Sequence, residues 1–503
     1  MLLYTAELKR PMSESMESKK AAVEELLHDL ALTQCRDVKI GDPMTKGISG
    51  GQAKRTNIGI ALITNPRVLF LDEPTSGLDS YTANETMAVV KNLVTGGVTV
   101  CATIHSPTAT AFALFDSLMM LTRGRTVYFG PRGQAAIEYA LASWPHGGKG
   151  NPEANGAEWL VDLITGADRE GRAAAFADTY LASPLAASNM KALDAYIESA
   201  TTTKLPEHLA AELSVDHETV TPVWWGLKTL IKYRTPRNYK DPEFLGPRIG
   251  DKFLMTVLQW SLYWKIGGNF DPNNFANISA VLFMFIVLPA YGAASYVPAI
   301  VLERRLYMRE RADGLYYAIT YLLAKLLDEL IVATLASLPL CAASFYAMDL
   351  QNSFALFWVV YLLVLYIGVV LAYAIAAVSP NMDVANALLP VWVTIQLLWA
   401  GFVSTTAAMP VWWKWFSYID FLRYAWGALM VNQFTGPRGD PVWVNGKTVL
   451  QHYSLRDQDM HTRYTWYTED VDMWANVGFL SIFFFLYAVC AWLALKYVQH
   501  GSR

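Results

Sequence analysis

Residues Val68–Ser80 read VLFLDEPTSGLDS. Val68-Leu69-Phe70-Leu71 is an unbroken apolar run, the pattern expected of a parallel strand buried on both faces. The run stops at Asp72-Glu73-Pro74, so two carboxylates stand at the carboxyl end of the strand. Open α/β sheets place their ligands at that end. The first acid suits Mg2+, and its neighbour suits the orientation of an attacking water. A plain acidic turn leaves the following Thr75-Ser76-Gly77-Leu78-Asp79-Ser80 unaccounted for.

Downstream, a helix from Tyr81 to about Val94, closed by Gly96-Gly97, leads to a second strand, Val98–Ile104, which ends in His105. Strand, helix and strand make one βαβ unit. It brings His105 to the sheet edge that carries Glu73, as a candidate contact for a γ-phosphate. Upstream, Ile48-Ser49-Gly50-Gly51-Gln52 opens an amphipathic stretch containing Ile58, Ala61, Leu62 and Ile63. The glycines lack the Cβ atoms that block close backbone approach. Ser49 can cap the helix, whose positive end then faces an anion. Alone, a Ser-Gly-Gly turn is more often simply a cap; in this order the three patterns point to a nucleotide.

Further along, the chain changes character. It has 503 residues, 53% hydrophobic and only 17% charged, against about a quarter charged in soluble proteins. The net charge of −4 removes any bulk electrostatic case for nucleic-acid binding. Cys35, Cys101, Cys341 and Cys490 are scattered without zinc or disulfide-scaffold spacing. Up to about Tyr239 charges fall in every window, whereas beyond Gly250 long stretches lack them. A helix needs about 20 apolar residues to cross a bilayer, which predicts six spans at about 251–267, 278–302, 319–348, 354–378, 385–409 and 473–497. Lys325, Asp328 and Glu329 interrupt the third, at spacings that let them neutralise each other on one helix face. Lys252 and Asp251 can snorkel at the start of the first.

Basic residues in short connections set the orientation. Glu303–Asp313 holds four arginines and is expected as a cytosolic loop; Gln351-Asn352-Ser353 has none and is expected outside. Both termini are then cytosolic, and the segment 410–472 faces outward. Asn277-Ile278-Ser279 is a glycosylation sequon on the outer side, close to the membrane.

Ile48–Arg55 (ISGGQAKR), Val68–Ser80 and Thr103–Pro107 (TIHSP) resemble the signature motif, the Walker B motif with D-loop, and the switch histidine of ABC transporter ATPases. Asp116–Pro131, with a hairpin turn at Arg123-Gly124-Arg125, looks like the next strands of that domain. Glu303–Asp313, Ser379-Pro380-Asn381 and Gly401–Phe434 resemble the G subfamily, the white-brown or pleiotropic-drug-resistance type. The resemblance implies an α/β partial ABC ATPase domain followed by an all-α six-helix transmembrane domain of the type-2 exporter fold. The boundaries are 1–150 for the nucleotide-binding part, 151–250 for a linker with a connecting helix, and 251–503 for the membrane domain.

It implies ATP and Mg2+ as cofactors, with Asp72 on the metal and Glu73 and His105 as catalytic residues. Ser49, Gly50, Gly51, Gln52 and Asp79 would bind the nucleotide. It further implies a second half-transporter as partner, homodimeric or heterodimeric, in a lipid bilayer, moving a lipophilic small molecule. Force would pass through an amphipathic helix around Trp224–Tyr233 at the membrane surface and through Glu303–Asp313, where Arg309 and Arg311 serve coupling or topology alone. The cargo path implied runs between the second and fifth spans, past Phe283, Phe285, Tyr291, Trp392, Trp399 and Phe402.

Neither the family's phosphate loop, GxxxxGK[ST], nor its Q-loop occurs in the chain; Gly147-Gly148-Lys149-Gly150 reads as a turn. The expectation is an N-terminally truncated copy of an exporter half. The alternative is a catalytically incomplete partner that lends Ser49–Gln52 to another subunit's phosphate loop, or a gene fragment without activity alone.

Overall fold

The computed structural model describes residues 1–41, 47–144, 156–202, 218–268, 272–404, 409–434, 443–444, 447–448 and 472–498. The chain divides into two compact units, Met1–Val220 and Thr221–Arg503. The expected turn at Gly147–Gly150 and most of the outer segment beyond Phe434 lie outside the described residues.

The first unit opens with α1 (Leu2–Lys9) and α2 (Met16–Asp29), followed by α3 (Gly50–Leu62), β1 (Val68–Asp72), α4 (Ser80–Thr95) and β2 (Thr99–Thr103). β1 and β2 pair in parallel from Val68↔Thr99 to Asp72↔Thr103. Leu69 on β1, Ile58 and Leu62 on α3, and Val89 and Val90 on α4 close one core. Only one face of β1 is covered, contrary to the expectation of burial on both: Phe70 is 77% exposed. Alternation explains it, since successive side chains point to opposite faces and the described helices pack on one.

After α5 (Ala109–Phe112) come β3 (Ser117–Thr122) and β4 (Arg125–Pro131), an antiparallel hairpin. Arg123 and Gly124 both have positive φ, as a two-residue hairpin turn requires. α6 (Gln134–Ser143), α7 (Gly156–Arg169), α8 (Ala173–Leu181) and α9 (Pro184–Thr202) follow. Trp144 stacks on Phe176 at 4.5 Å within a core that also holds Val127, Tyr128 and Trp159. The stretch expected as a linker, 151–250, thus divides between the two units.

The second unit consists mainly of α10 (Val223–Asn238), α11 (Pro242–Leu262), α12 (Pro272–Gly292), α13 (Val297–Ala312), α14 (Ala318–Ala347), α15 (Phe354–Val378), α16 (Met382–Trp399), α17 (Phe421–Phe434) and α18 (Met473–Tyr497). Among the described residues, five helical stretches are long and apolar enough to span a membrane: Ala276–Ala312, Ala318–Ala347, Phe354–Val378, Met382–Trp399 and Met473–Tyr497. They correspond to five of the six expected spans. The remaining one, the first at 251–267, overlaps α11, which starts earlier, ends at Leu262 and carries Arg248, Asp251 and Lys252. The fifth stops at Trp399 rather than 409, because Gly401 turns the chain with a φ of +99°.

Four expectations change. Glu303–Asp313 is not a loop: all but its last residue lie in α13, which continues from α12 through a short 3-10 turn. The connecting helix α10 does not simply lie on a surface; Gly226 approaches Thr320 of α14, and Thr229 and Leu230 are buried. The segment 410–472 contains α17, with thirteen of its fourteen residues buried, beside α15 and α18. At about 1.5 Å per residue it is too short to cross a bilayer and so gives no span signal.

Lys325, Asp328 and Glu329 make their direct contacts with other helices rather than with one another. Lys325 pairs with Glu303 of α13 at 2.5 Å. Asp328 accepts from Thr235 and, at 2.9 Å, from Asn238 of α10. Glu329 takes both arms of the Arg248 guanidinium from α11. Asp328 and Glu329 are separated by about 100° of helix rotation and so meet different helices, while Lys325, on the same face as Glu329, reaches back to Glu303 of α13.

Candidate functional site

Three local devices build the edge of the β1–β2 sheet. Ser49 and Gln52 form a reciprocal capping box: the Gln52 N–H donates to Ser49 Oγ at 3.2 Å, and the Ser49 N–H donates to Gln52 Oε1 at 2.9 Å. It fixes the start of α3. Asp79 caps α4, accepting from the N–H groups of Tyr81 and Thr82 and from the Thr82 hydroxyl at 2.8 Å. The Thr82 N–H holds the Asp79 carboxyl below its ordinary range, with its hydroxyl next in weight.

The third device is the strand end. Register places Asp72 opposite Thr103. The Thr103 hydroxyl donates to Asp72 Oδ1 at 2.5 Å and accepts from the Glu73 N–H at 3.1 Å. Glu73 has a φ of +45°, a left-handed backbone that non-glycine residues seldom adopt. This conformation turns its side chain toward His105, whose Nε2 lies 2.8 Å from Glu73 Oε1. Both side chains are open to solvent, and His105 more so.

The two cap turns meet this edge. Lys54 of α3 donates to the Glu73 carbonyl at 3.0 Å. A Cβ on Gly51 would come within 2.1 Å of Thr82 Cγ2, so α3 and α4 touch where only glycine fits. Glu73 and His105 therefore lie together, as their strand positions required, with Asp72 beside them. Ser49–Gln52 and Asp79 stand on adjoining helix starts. Sequence reasoning missed Thr103, Lys54 and Thr82; parallel register pointed to Thr103, while the other two needed the packing.

Asp72 suits a hard cation that takes one carboxylate and fills its other positions with phosphate oxygens and water, as Mg2+ does. No cluster of three or more His, Cys, Asp or Glu side chains arranged for a metal occurs among the described residues. A single carboxylate donor at the strand end is compatible with an ion that arrives with its nucleotide.

In the second unit, the six expected path aromatics each have identified neighbours. Phe283 stacks on Phe402 at 4.6 Å and meets Trp426 edge-on. Phe285 is buried against Phe357. Tyr291 bonds Thr394 at 2.6 Å, Trp392 donates to the Tyr487 hydroxyl at 3.3 Å, and Trp399 lies against Trp413 and Phe416.

Residues 226–434 match the ABC-2 type transporter family, and residues 3–76 match the ABC transporter family. The whole chain is 26% identical to the "Broad substrate specificity ATP-binding cassette transporter ABCG2" of Rattus norvegicus and spans 79% of that protein. It is 28% identical to "ABC transporter G family member 6" of Arabidopsis thaliana, over 90% of this chain and 64% of that one. An ATP-binding cassette of an ABC transporter, solved in its ADP conformation, is 25% identical, with a TM-score of 0.24, over 29% of this chain and 60% of that one.

Proposed function

We propose that this chain, which belongs to the ABC transporters of the G type, works as one half of a dimeric, ATP-driven exporter of lipophilic molecules. The observation that carries the reading is the 2.8 Å contact between Glu73 and His105 at the end of a parallel strand, next to Asp72. A carboxylate fixed by its own backbone and held by an imidazole is placed to orient a water and accept its proton.

Asp72 would hold Mg2+, which when bound neutralises phosphate charge. The capping box leaves the first N–H groups of α3 directed outward from the helix start, a setting for an anion presented by an opposing subunit. Asp79 stabilises the start of α4 beside it. In the second unit the five apolar stretches make a multi-pass membrane protein, and the basic α13 favours a cytosolic side for the first unit. A lipophilic cargo is supported by the aromatic, charge-free character of α12 and of the part of α16 beyond Asp383.

Inside-out membrane vesicles carrying the chain, with and without a co-expressed second half-transporter, test this reading. ATP-dependent uptake of a fluorescent lipophilic probe is expected when the second half-transporter is present, and Glu73→Gln is expected to abolish it. Equal uptake by wild type and Glu73→Gln overturns the proposal.

A further inference from the structure

α13 presents three donors on one face. Arg304, Tyr307 and Arg311 stand at positions i, i+3 and i+7, the spacing of a single helical stripe. Arg304 donates to the carbonyl oxygens of Ala376 and Pro380, each at 2.9 Å, and to that of Ser379. These carbonyls belong to the C-terminal end of α15 and the turn after it. Tyr307 donates to the Leu495 carbonyl at 2.9 Å. Arg311 donates to the same carbonyl at 2.9 Å and to that of Lys496 at 2.8 Å, at the end of α18.

The last carbonyls of a helix have no partner within it, and they carry the negative end of its dipole. Next to a bilayer, where water is scarce, leaving them unmet is costly. A guanidinium offers several donors in a fixed plane and suits two or three carbonyls at once. Arg309 lies on the same helix but is exposed. The basic residues of this segment therefore separate by role: Arg304 and Arg311 reach the ends of two other spans, and Arg309 does not share their stripe.

We propose that Arg304, Tyr307 and Arg311 are positioning residues that tie the C-terminal ends of α15 and α18 to α13, so that a displacement of α13 moves both spans as one body. The proposal rests on the transport reading for the origin of that displacement, and on these contacts alone for the linkage.

The test uses the full chain in membranes, with its four native cysteines replaced by alanine and spin labels on exposed positions. One pair joins Arg309 to Val378, and the other joins Arg309 to Tyr497. Without nucleotide, both distances are expected to be narrow. Arg311→Ala broadens only the pair to Tyr497, and Arg304→Ala broadens only the pair to Val378. Arg311→Lys and Arg304→Lys, which keep a donor, recover much of the narrow distance. Tyr307→Phe removes a single bond and broadens the Tyr497 pair less than Arg311→Ala.

In the vesicle assay, the alanine variants are expected to lose probe uptake while keeping phosphate release. Unchanged distances in both alanine variants overturn the linkage, and so does wild-type uptake in variants whose distances have broadened. A wild type without ATP-dependent uptake overturns the transport reading instead, while the nucleotide-free distances still judge the linkage.

Discussion

His105 Nε2 lies 2.8 Å from Glu73 Oε1, across the ends of two strands paired in parallel. The contact exists because Asp72 and Thr103 are register partners and the next residue on β1 turns into a left-handed backbone. Both side chains remain open, so the pair is available to a ligand rather than consumed by the core.

If Glu73 takes a proton from water, Glu73→Gln removes the base but keeps the shape. Phosphate release by the assembled transporter is expected to fall by about 100- to 10,000-fold. His105→Ala is expected to lower it too, with the first unit still folded by circular dichroism. Turnover within a few-fold of wild type in Glu73→Gln would refute the assignment.

Gly51→Ala should wedge α3 away from α4, because the new Cβ meets the stiff Thr82 Cγ2. Overpacking of this kind costs about 1–3 kcal/mol. Thr82→Ser removes that methyl yet keeps the hydroxyl that bonds Asp79, and in the double variant it should restore most of the loss. Chemical denaturation of the full chain, followed by a reporter in the first unit, measures the cycle; strict additivity of the two changes would contradict the contact.

Asp79 gives the first unit an acid-sensitive element. Its carboxyl is held below the ordinary value of 3.8 by the Thr82 N–H. A depressed carboxyl contributes stability above that ordinary value and loses it as pH falls through the lowered one. Wild type should therefore exceed Asp79→Ala in stability at neutral pH, with the gap narrowing only under strongly acidic conditions. Melting curves across that range check the trend, and a gap independent of pH would argue against it.

Arg248 and Glu329 form a buried pair between α11 and α14. Removing one partner leaves the other charge stranded, at a cost of about 3–5 kcal/mol. Arg248→Met or Glu329→Gln should sharply lower thermal stability in detergent, and Arg248→Met combined with Glu329→Leu should recover much of it. A loss in the double variant equal to the sum of the losses from Arg248→Met and Glu329→Leu alone would show that the pair is not coupled.

Much of this protein was legible residue by residue. The βαβ unit, the meeting of Glu73 with His105, the cap at Ser49 and the hairpin at Arg123-Gly124 all follow from short-range rules of periodicity, turn chemistry and strand register. The long apolar stretches follow from the thickness of a bilayer. Packing decided what periodicity cannot hold. Only the folded chain shows that Lys325, Asp328 and Glu329 answer to three different helices, that Phe421–Phe434 is buried although too short to span, and that Arg304 and Arg311 close the ends of two distant spans. The physical reason is range. A helical or extended pattern is written in neighbours a few residues apart, whereas a buried charge or a helix end is satisfied by whichever segment packs beside it, here as many as 188 residues away along the chain.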